Sequence, residues 1–373
     1  MIDPPVLKAI QEQIESLVDD ERKELERLRK LVEKLKPEVR NIQPRSATAV
    51  SLVGTDGGNN QIQYDPFLVQ LIRVVDSSNN ELILDAVTPR TPTAVLNGKH
   101  LSSDGDALTS IGRMMKRLGA RSLDEVCTVF EGKDDGRSPA WVQEYRGLAE
   151  WAALLDLICE RDYGSDTLIV RDGPLREKMF KKGIFKRYFE LIEEGIADVY
   201  KRSRRRIYLV GVVKHSKVLQ KFRLAMALEG VLRTRYPAYA PVLDYLQKEA
   251  FRYKEWATNA SSSDEFFVAG EMFMVKFGRS PHDPVWIVDI LASQAHEAPK
   301  IFGYLQKDSQ HGFPVPFYPQ CLQRAHEAAA LVDFDIDILE LGIHKALKNH
   351  LGERSRIIDE LAIQETDVSQ NRY

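Results

Sequence analysis

Two aspartates that each precede a glycine are the residues of this chain best suited to metal chemistry. Asp56 follows the apolar residues 49–54, and Asp172 follows the apolar residues 168–170. Both runs are predicted strands, and two buried strands of one sheet can bring such carboxylates together at one edge. This arrangement suits phosphodiester hydrolysis of the two-metal type. For Asp56 alone a hairpin turn is the competing interpretation, because Asp-Gly is a common turn sequence.

A third carboxylate is expected, because a pair of divalent ions needs several oxygen ligands. The predicted helix over residues 139–160 leads to Asp172 and offers Glu144 and Glu150. Glu150 stands beside Trp151 in an otherwise apolar stretch, whereas Glu144 lies nearer the polar start of the helix. We therefore select Glu150 as the ligand. The alternative is a glutamate that simply faces solvent.

Basic residues form a second set that could meet a phosphate. Lys214 follows the predicted strand at residues 207–213, where its charge can act on a phosphate, and Lys217 is the competing choice. The most basic stretch of the chain comprises Lys201, Arg202, Arg204, Arg205 and Arg206. Such a run binds phosphate backbones without reading sequence. The alternative is a solvated helix end, where cations interact favourably with the helix dipole.

The elements that position these residues are predicted as three consecutive strands followed by strands that helices separate. The first three strands are rich in β-branched and aliphatic residues, and the turn at residues 77–80 favours antiparallel pairing. The predicted strands cover residues 49–54, 67–75, 81–87, 167–170, 207–213, 266–277 and 285–291, with helices at 139–160 and 320–332. This order predicts an α/β fold, an RNase H-like mixed β-sheet flanked by helices.

A long amphipathic helix is predicted at the amino terminus. Apolar residues recur at three- and four-residue steps between residues 6 and 35, and Pro37 ends the pattern. Glu21 interrupts the apolar stripe, so packing against the chain's own body and contact with a second copy both remain open. We expect three segments, which are a helix with its linker, a main domain and a tail, at residues 1–45, 46–345 and 346–373.

The composition limits the classes of function. A net charge of −3 excludes a wholly basic nucleic-acid coat, so any contact with DNA must be a local patch. The three cysteines are far apart and support neither a zinc site nor a disulfide framework. No apolar run approaches the roughly 20 residues that span a membrane, and we expect a soluble cytoplasmic protein. The chain lacks a P-loop sequence, so energy for moving DNA would come from a partner.

Five motifs, in order, resemble the NurA nuclease family over about residues 46–335. The family pattern has an Asp-Gly after the first strand, a helical glutamate, a strand ending in Asp-Gly-x-Leu, a Gly-x-x-Lys segment, and a closing Gly-Tyr-Pro with Ala-His. The corresponding sequences are GTDGG (54–58), GLAEW (147–151), LIVRDGPL (168–175), VGVVKHSK (210–217), and GFPVP (312–316) followed by RAHEAA (324–329).

This resemblance implies a site, a substrate and partners. It implies that four residues ligate Mn²⁺ or Mg²⁺, with Lys214 near the phosphate; the four are Asp56, Glu150, Asp172 and His326. It also implies a homodimer that cuts DNA supplied by a HerA-type hexameric ATPase. The function expected from the resemblance is a metal-dependent DNA nuclease in DNA end processing or anti-phage defence.

Two departures from the family pattern motivate an alternative. Phe313 stands where the family usually has tyrosine, so a hydroxyl is missing unless Tyr318 supplies it. The interval from this motif to His326 is also longer than in the family. The alternative is a non-catalytic NurA-like subunit that binds DNA or regulates the ATPase. The carboxylates favour the enzyme, because clustered negative charge would weaken a DNA clamp, and the basic stretch disfavours a phosphatase for small phosphates.

Overall fold

The computed structural model describes residues 3–45, 50–64, 67–132, 134, 138, 140–251, 256–257 and 266–352. Its strands are β1 (Arg40–Asn41), β2 (Val50–Tyr64), β3 (Phe67–Asp76), β4 (Glu81–Val87), β5 (Asp166–Asp172), β6 (Ile207–Val213), β7 (Ala238–Pro241), β8 (Trp256–Ala257), β9 (Phe266–Phe267), β10 (Gly270–Lys276) and β11 (Val285–Leu291).

The α-helices are α1 (Pro4–Glu33), α2 (Thr93–His100), α3 (Ser110–Leu118), α4 (Leu123–Val126), α5 (Trp141–Cys159), α6 (Ile184–Ser203), α7 (Lys217–Glu229), α8 (Asp244–Phe251), α9 (Ala298–Ser309), α10 (Gln320–Ala329) and α11 (Asp333–Leu351). Short 3₁₀ helices cover Lys36–Glu38, Thr128–Phe130 and Ala292–Glu297. Within the described part of the chain, none of these helices combines the length and apolar character needed to cross a bilayer.

Nine strands form one mixed sheet, in the order β1-β7-β10-β11-β6-β5-β2-β3-β4. β2, β3 and β4 pair antiparallel, whereas β2, β5 and β6 run parallel. The chain passes through α5 before β5 and through α6 before β6, as parallel neighbours require. The fold is therefore α/β with an RNase H-like core, as the sequence predicts. β11, β10, β7 and β1 extend this core by antiparallel pairing, a non-local addition that the local pattern does not predict.

Alternating side chains of β5 enter two separate cores. Ile169 packs in a core formed with α5 and α6, while Leu168 and Val170 pack in a core formed with α9 and α10. Successive residues of a strand point to opposite faces of the sheet. A strand covered on both faces is therefore a continuous apolar run, and this explains why β5 is clear in the sequence.

β2 differs from its prediction, because it continues through the Asp-Gly sequence. Residues 55–64 pair with β3 without interruption, so Asp56 and Gly57 lie inside a strand. The interpretation of Asp56 as part of a hairpin turn is wrong. The turn predicted at residues 77–80 is present and is closed by backbone hydrogen bonds to the Asp76 carboxylate.

The two halves of α1 have different surroundings. Leu28 and Val32 in the second half are buried in a core that includes α7. The first half leaves its apolar stripe exposed, at Val6, Leu7, Ile10, Ile14, Leu17 and Val18. Packing against the chain's own body therefore holds for the second half, and contact with a second copy stays a prediction for the first.

The division into three segments also stays a prediction. Its second boundary, at residue 345, falls inside α11. Residues 353–373 of the predicted tail lie outside the described residues.

Candidate metal centre

The two aspartates lie at the same level on neighbouring strands. β2 and β5 pair in parallel, with Thr55 opposite Arg171. Asp56 and Asp172 are the next residues along these strands. Because the two strands run in the same direction, this register delivers both carboxylates to one edge of the sheet.

Two glycines of β2 allow α10 to lie close against the strand. A Cβ added at Gly54 would lie 2.5 Å from the Cys321 carbonyl oxygen, and one at Gly58 would lie 2.4 Å from that of Ala329. Both positions therefore exclude larger residues while the helix stays in place. The close approach brings His326 to the site, where its Nδ1 lies 2.6 Å from Asp56 Oδ2.

Asp56, Asp172 and His326 form a cluster of ligand atoms. One ligand atom from each residue lies within 4.8 Å of the others. Asp56 is buried and Asp172 is half-buried, whereas the His326 side chain is 69% exposed. Carboxylate oxygens suit Mg²⁺ and Mn²⁺, and an imidazole nitrogen suits transition metals. The donor set therefore fits a divalent ion and favours manganese over magnesium.

Asp172 is held by two further side chains. Lys214 Nζ donates to Asp172 Oδ2 at 2.6 Å, and the Tyr318 hydroxyl donates to Oδ1 at 3.1 Å. The Lys214 ammonium also lies 5.1 Å from the centre of the Tyr318 ring. Phe313, in contrast, is 78% exposed. The Tyr318 hydroxyl therefore contacts the cluster through Asp172. That it replaces the hydroxyl that Phe313 lacks stays a prediction.

Glu150 lies beside this cluster but not within it. A Cβ added at Gly57 would lie 2.6 Å from Glu150 Oε1, so the glycine leaves room for the carboxylate. Arg171 Nη2 donates to Glu150 Oε2 at 3.2 Å, and Arg146 Nε lies 3.4 Å from Oε1. Among the described residues, the three-ligand group does not include Glu150. Its role as a ligand stays a prediction.

The surroundings of Asp56 and Glu150 raise the pKa values of both carboxyls. Burial raises the pKa of Asp56, the charge of Asp172 raises it further, and His326 opposes the shift. Burial raises the pKa of Glu150 to about 7, although Arg171 lowers it. Carboxyls with raised pKa values gathered in a cleft are typical of functional sites.

Arg171 is a residue of the site that the sequence interpretation missed. Its guanidinium stacks on Trp151, 4.0 Å from the ring centre, and donates to the Pro174 carbonyl oxygen at 3.1 Å. Gly173 has φ of 118°, and a Cβ there would lie 2.3 Å from Arg171 Nη1. An arginine inside an apolar strand needs buried partners, and that signal was present in the sequence.

A cleft of about 860 Å³ opens over the carboxylates. Asp56, Glu150 and Asp172 line it together with His326. Its basic lining residues are Arg146, Arg171, Arg176, Lys178, Lys214 and Lys217. The competing candidates Glu144 and Lys217 therefore also reach the cleft. Lys214, unlike Lys217, contacts the cluster directly through Asp172.

The predicted basic run lies at the opposite end of the sheet. It ends at Arg206, directly before β6, and Asp172 pairs with Val212 near the other end of that strand. Arg206 and Val212 are six residues apart along an extended strand, so the basic run lies about 20 Å from the end of β6 where Asp172 is. Three of the five cations form ion pairs on that surface, namely Lys201 with Asp198, Arg202 with Asp162, and Arg206 with Glu297. The run does not border the cleft, and its contact with DNA stays a prediction for a separate surface.

The fold and the site together define an RNase H-like α/β protein with an acidic, metal-fitting cleft at the edge of its parallel strands. No family model and no curated protein matches the chain. Among solved structures, the chain is similar to the NurA nuclease from Sulfolobus solfataricus, at 13% identity over 95% of this chain and 99% of that chain, with a TM-score of 0.45.

Two further solved structures show weaker similarity. One is NurA bound to dAMP and manganese, at 9% identity over 86% of this chain and 94% of that chain, with a TM-score of 0.40. The other is Marinitoga piezophila Argonaute in complex with guide RNA and target DNA, at 10% identity over 78% of this chain and 31% of that chain, with a TM-score of 0.25. NurA, the family that the sequence motifs resemble, is among these structures.

Proposed function

We propose that this protein is a metal-dependent DNA nuclease. The observation that carries the proposal is the cluster of Asp56, Asp172 and His326 on the wall of a cleft lined by basic side chains. Clustered carboxylates alone would repel a phosphodiester. A divalent ion bound to them would offset this negative charge, and with the basic residues of the same cleft it would attract a phosphodiester.

The protein's own groups would hold the ion and the substrate. Asp56, Asp172 and His326 would ligate Mn²⁺ or Mg²⁺, and Glu150 would complete a two-metal site. When bound, divalent ions activate water for attack and stabilise charge that develops on the phosphate. Lys214 would place a further positive charge beside the phosphate, while it orients Asp172.

The Tyr318 hydroxyl would fix the second oxygen of Asp172, as groups behind metal ligands commonly do. The alternative function, a non-catalytic subunit that binds DNA or regulates an ATPase, is motivated by Phe313. The contact between Tyr318 and Asp172 favours the enzyme. Tight DNA binding without cutting in Mn²⁺ would support the alternative.

The proposed assembly rests on the motif resemblance and on α1. A HerA-type ATPase would feed DNA to a dimer of this protein, in DNA end processing or anti-phage defence. The exposed apolar stripe on the first half of α1 is a surface on which a second copy or the ATPase can pack.

The test is cleavage of linear DNA by the purified protein in Mn²⁺. Asp56→Ala and Asp172→Ala should each lower the rate at least about a thousandfold, which is about 4 kcal/mol of activation free energy. Asp104→Ala, at an exposed aspartate far from the cleft in sequence, is the matched control and should cut normally. Circular dichroism would verify that the variants are folded. Wild-type cutting rates in both cleft variants would show that the site is misplaced.

A further inference from the structure

A second cleft adjoins the metal centre. It has a volume of about 680 Å³, a size that holds a nucleotide-sized ligand. α7 forms one wall, residues 231–233 form another, and residues 281–286 before and within β11 form the third. Its apolar lining includes Leu219, Met226, Val231, Leu232, Val285 and Trp286.

The two clefts share a wall. Lys214, His215 and Ser216 line both of them. A chain of contacts also connects the second cleft to the metal centre, because the Trp286 ring packs edge-on against Tyr318 with 4.9 Å between ring centres. Tyr318 in turn donates to Asp172. A polymer seated on the metal cluster can therefore continue past Lys214 into the second cleft.

The charge of the second cleft is positive. Arg223 and Arg233 are exposed at its rim, beside His215 and His282. Arg233 donates to the Ala227 carbonyl oxygen at 3.3 Å and lies 3.2 Å from His282 Nδ1, so neither partner is a carboxylate.

The acidic residue of the second cleft is already engaged. Asp283 accepts a hydrogen bond from the Ser280 backbone nitrogen at 2.7 Å, within its own turn. Among the described residues, no carboxylate pairs with Arg223 or Arg233. The cleft thus combines positive charge with an aromatic ring and an apolar lining.

We propose that the second cleft binds the single-stranded segment that flanks the scissile phosphate. Phosphates would lie on Arg223 and Arg233, and an unpaired base would stack on Trp286. In a duplex the faces of the bases are stacked on one another and cannot contact the apolar lining of the cleft. A single strand exposes the faces of its bases. This inference rests on the proposed nuclease function and adds the strand form that the site takes.

The first test measures binding of fluorescein-labelled oligothymidylate and of a matched duplex in Ca²⁺, by anisotropy. Arg223→Ala/Arg233→Ala should lower the salt slope for the single strand by about 1.4, at about 0.7 per contact. Arg90→Ala/Arg121→Ala removes the same charge from exposed positions outside both clefts and should match the wild type. A double variant that behaves like this control overturns the proposal. Loss of duplex binding with unchanged single-strand binding also overturns it.

The second test examines stacking. Trp286→Ala should bind the single strand about tenfold more weakly, and Trp286→Phe should keep most of the affinity because it keeps a ring. Hydrolysis of bis(p-nitrophenyl) phosphate, which is too small to span both clefts, separates damage at the metal centre from loss of strand binding. Trp286→Ala should lower the cleavage rate of the oligonucleotide more than the hydrolysis rate of the small diester. Equal losses on both substrates overturn the proposal, and a wild-type protein inactive on both overturns the proposed function itself.

Discussion

Asp172 and Asp289 occupy similar levels of one sheet on either side of β6, but their surroundings differ. Asp172 pairs with Val212 of β6, and Asp289 pairs with Gly211. Asp289 is fully buried, and its two oxygens accept from the Arg176 guanidinium at 3.1 and 3.2 Å. The Leu175 backbone nitrogen donates a third hydrogen bond to it at 3.0 Å. Asp172 instead opens into the cleft.

The difference separates a charge that stabilises the fold from charges available to a ligand. A buried carboxylate that a guanidinium satisfies leaves little capacity for a metal ion. Asp172 and Asp56 lie close to each other, and their repulsion helps to raise the pKa of Asp56. Such repulsion is relieved when a cation binds. The predictions that follow test this contrast.

The largest expected effect is that substitutions at Asp289 and Asp172 act on different properties, the first on stability and the second on cleavage. Asp289→Ala should lower the free energy of unfolding by about 3–5 kcal/mol, because it removes the carboxylate that accepts two hydrogen bonds from the buried Arg176 guanidinium. Asp172→Asn should change stability by less than about 1 kcal/mol, because loss of the Lys214 pair is offset by relief of repulsion with Asp56. Urea unfolding followed by fluorescence measures both.

Cleavage should show the opposite order. Asp172→Asn should abolish cutting in Mn²⁺, while folded Asp289→Ala should retain it at low temperature. If Asp172→Asn destabilised the protein as much as Asp289→Ala, the contrast between the two sites would be wrong.

The next effect is a dependence of stability on pH that Glu150 causes. Its pKa is about 7 in the folded protein, above the usual 4.5, so folding favours the protonated form. The resulting stabilisation is complete below pH 4.5 and is lost as the pH rises to about 7, by about 3 kcal/mol. In EDTA, the wild type should therefore lose more stability than Glu150→Gln between pH 5 and about pH 8. Parallel pH profiles for the two proteins would rule out a raised pKa at Glu150.

The sequence predicts the two aspartates of this site but few of the contacts that hold them in place. Asp56 and Asp172 follow apolar runs that are clear because both faces of their strands are covered. The close approach of α10 depends on Gly54 and Gly58, whose importance comes from a helix more than 250 residues later in the chain. No local pattern reveals such a contact.

The partners of Glu150 and the position of the basic run relative to the cleft also depend on how the elements pack, which no local pattern reveals. Arg171 reaches Glu150 only because β5 packs against α5, and strand alternation alone does not say which helix covers a face. Arg206 lies far from Lys214 because β6 runs between them, although they are near in sequence. Residues at the two ends of an extended strand are close in sequence but far apart in space.

A smaller effect is expected from the hydroxyl that holds Asp172. Tyr318→Phe should weaken Mn²⁺ binding about tenfold to a hundredfold, because the hydrogen bond to Oδ1 is lost while the ring remains. Phe313→Tyr is the matched control, and it should have no effect because Phe313 is exposed to solvent. Calorimetric titration with Mn²⁺ would measure both. Unchanged metal affinity in Tyr318→Phe would remove Tyr318 from the site.

The smallest effect concerns the basic run at the far end of the sheet. Arg202 and Arg206 already pair with Asp162 and Glu297, so only Arg204 and Arg205 are expected to release counterions from bound duplex DNA. Replacing all four arginines by alanine should therefore flatten the salt slope of binding by at most about 1.8, at about 0.9 per contact. The cutting rate at saturating DNA should not change.

Lys214→Ala should give the converse result, because Lys214 contacts the metal-ligand cluster through Asp172. We expect a lower cutting rate at saturating DNA with almost no change in the salt slope. Binding would be measured in Ca²⁺, which takes oxygen ligands as Mg²⁺ does and keeps binding separate from cleavage. An arginine variant with wild-type affinity and slope would make the basic run a solvated helix end. The DNA path would then be confined to the clefts beside Lys214.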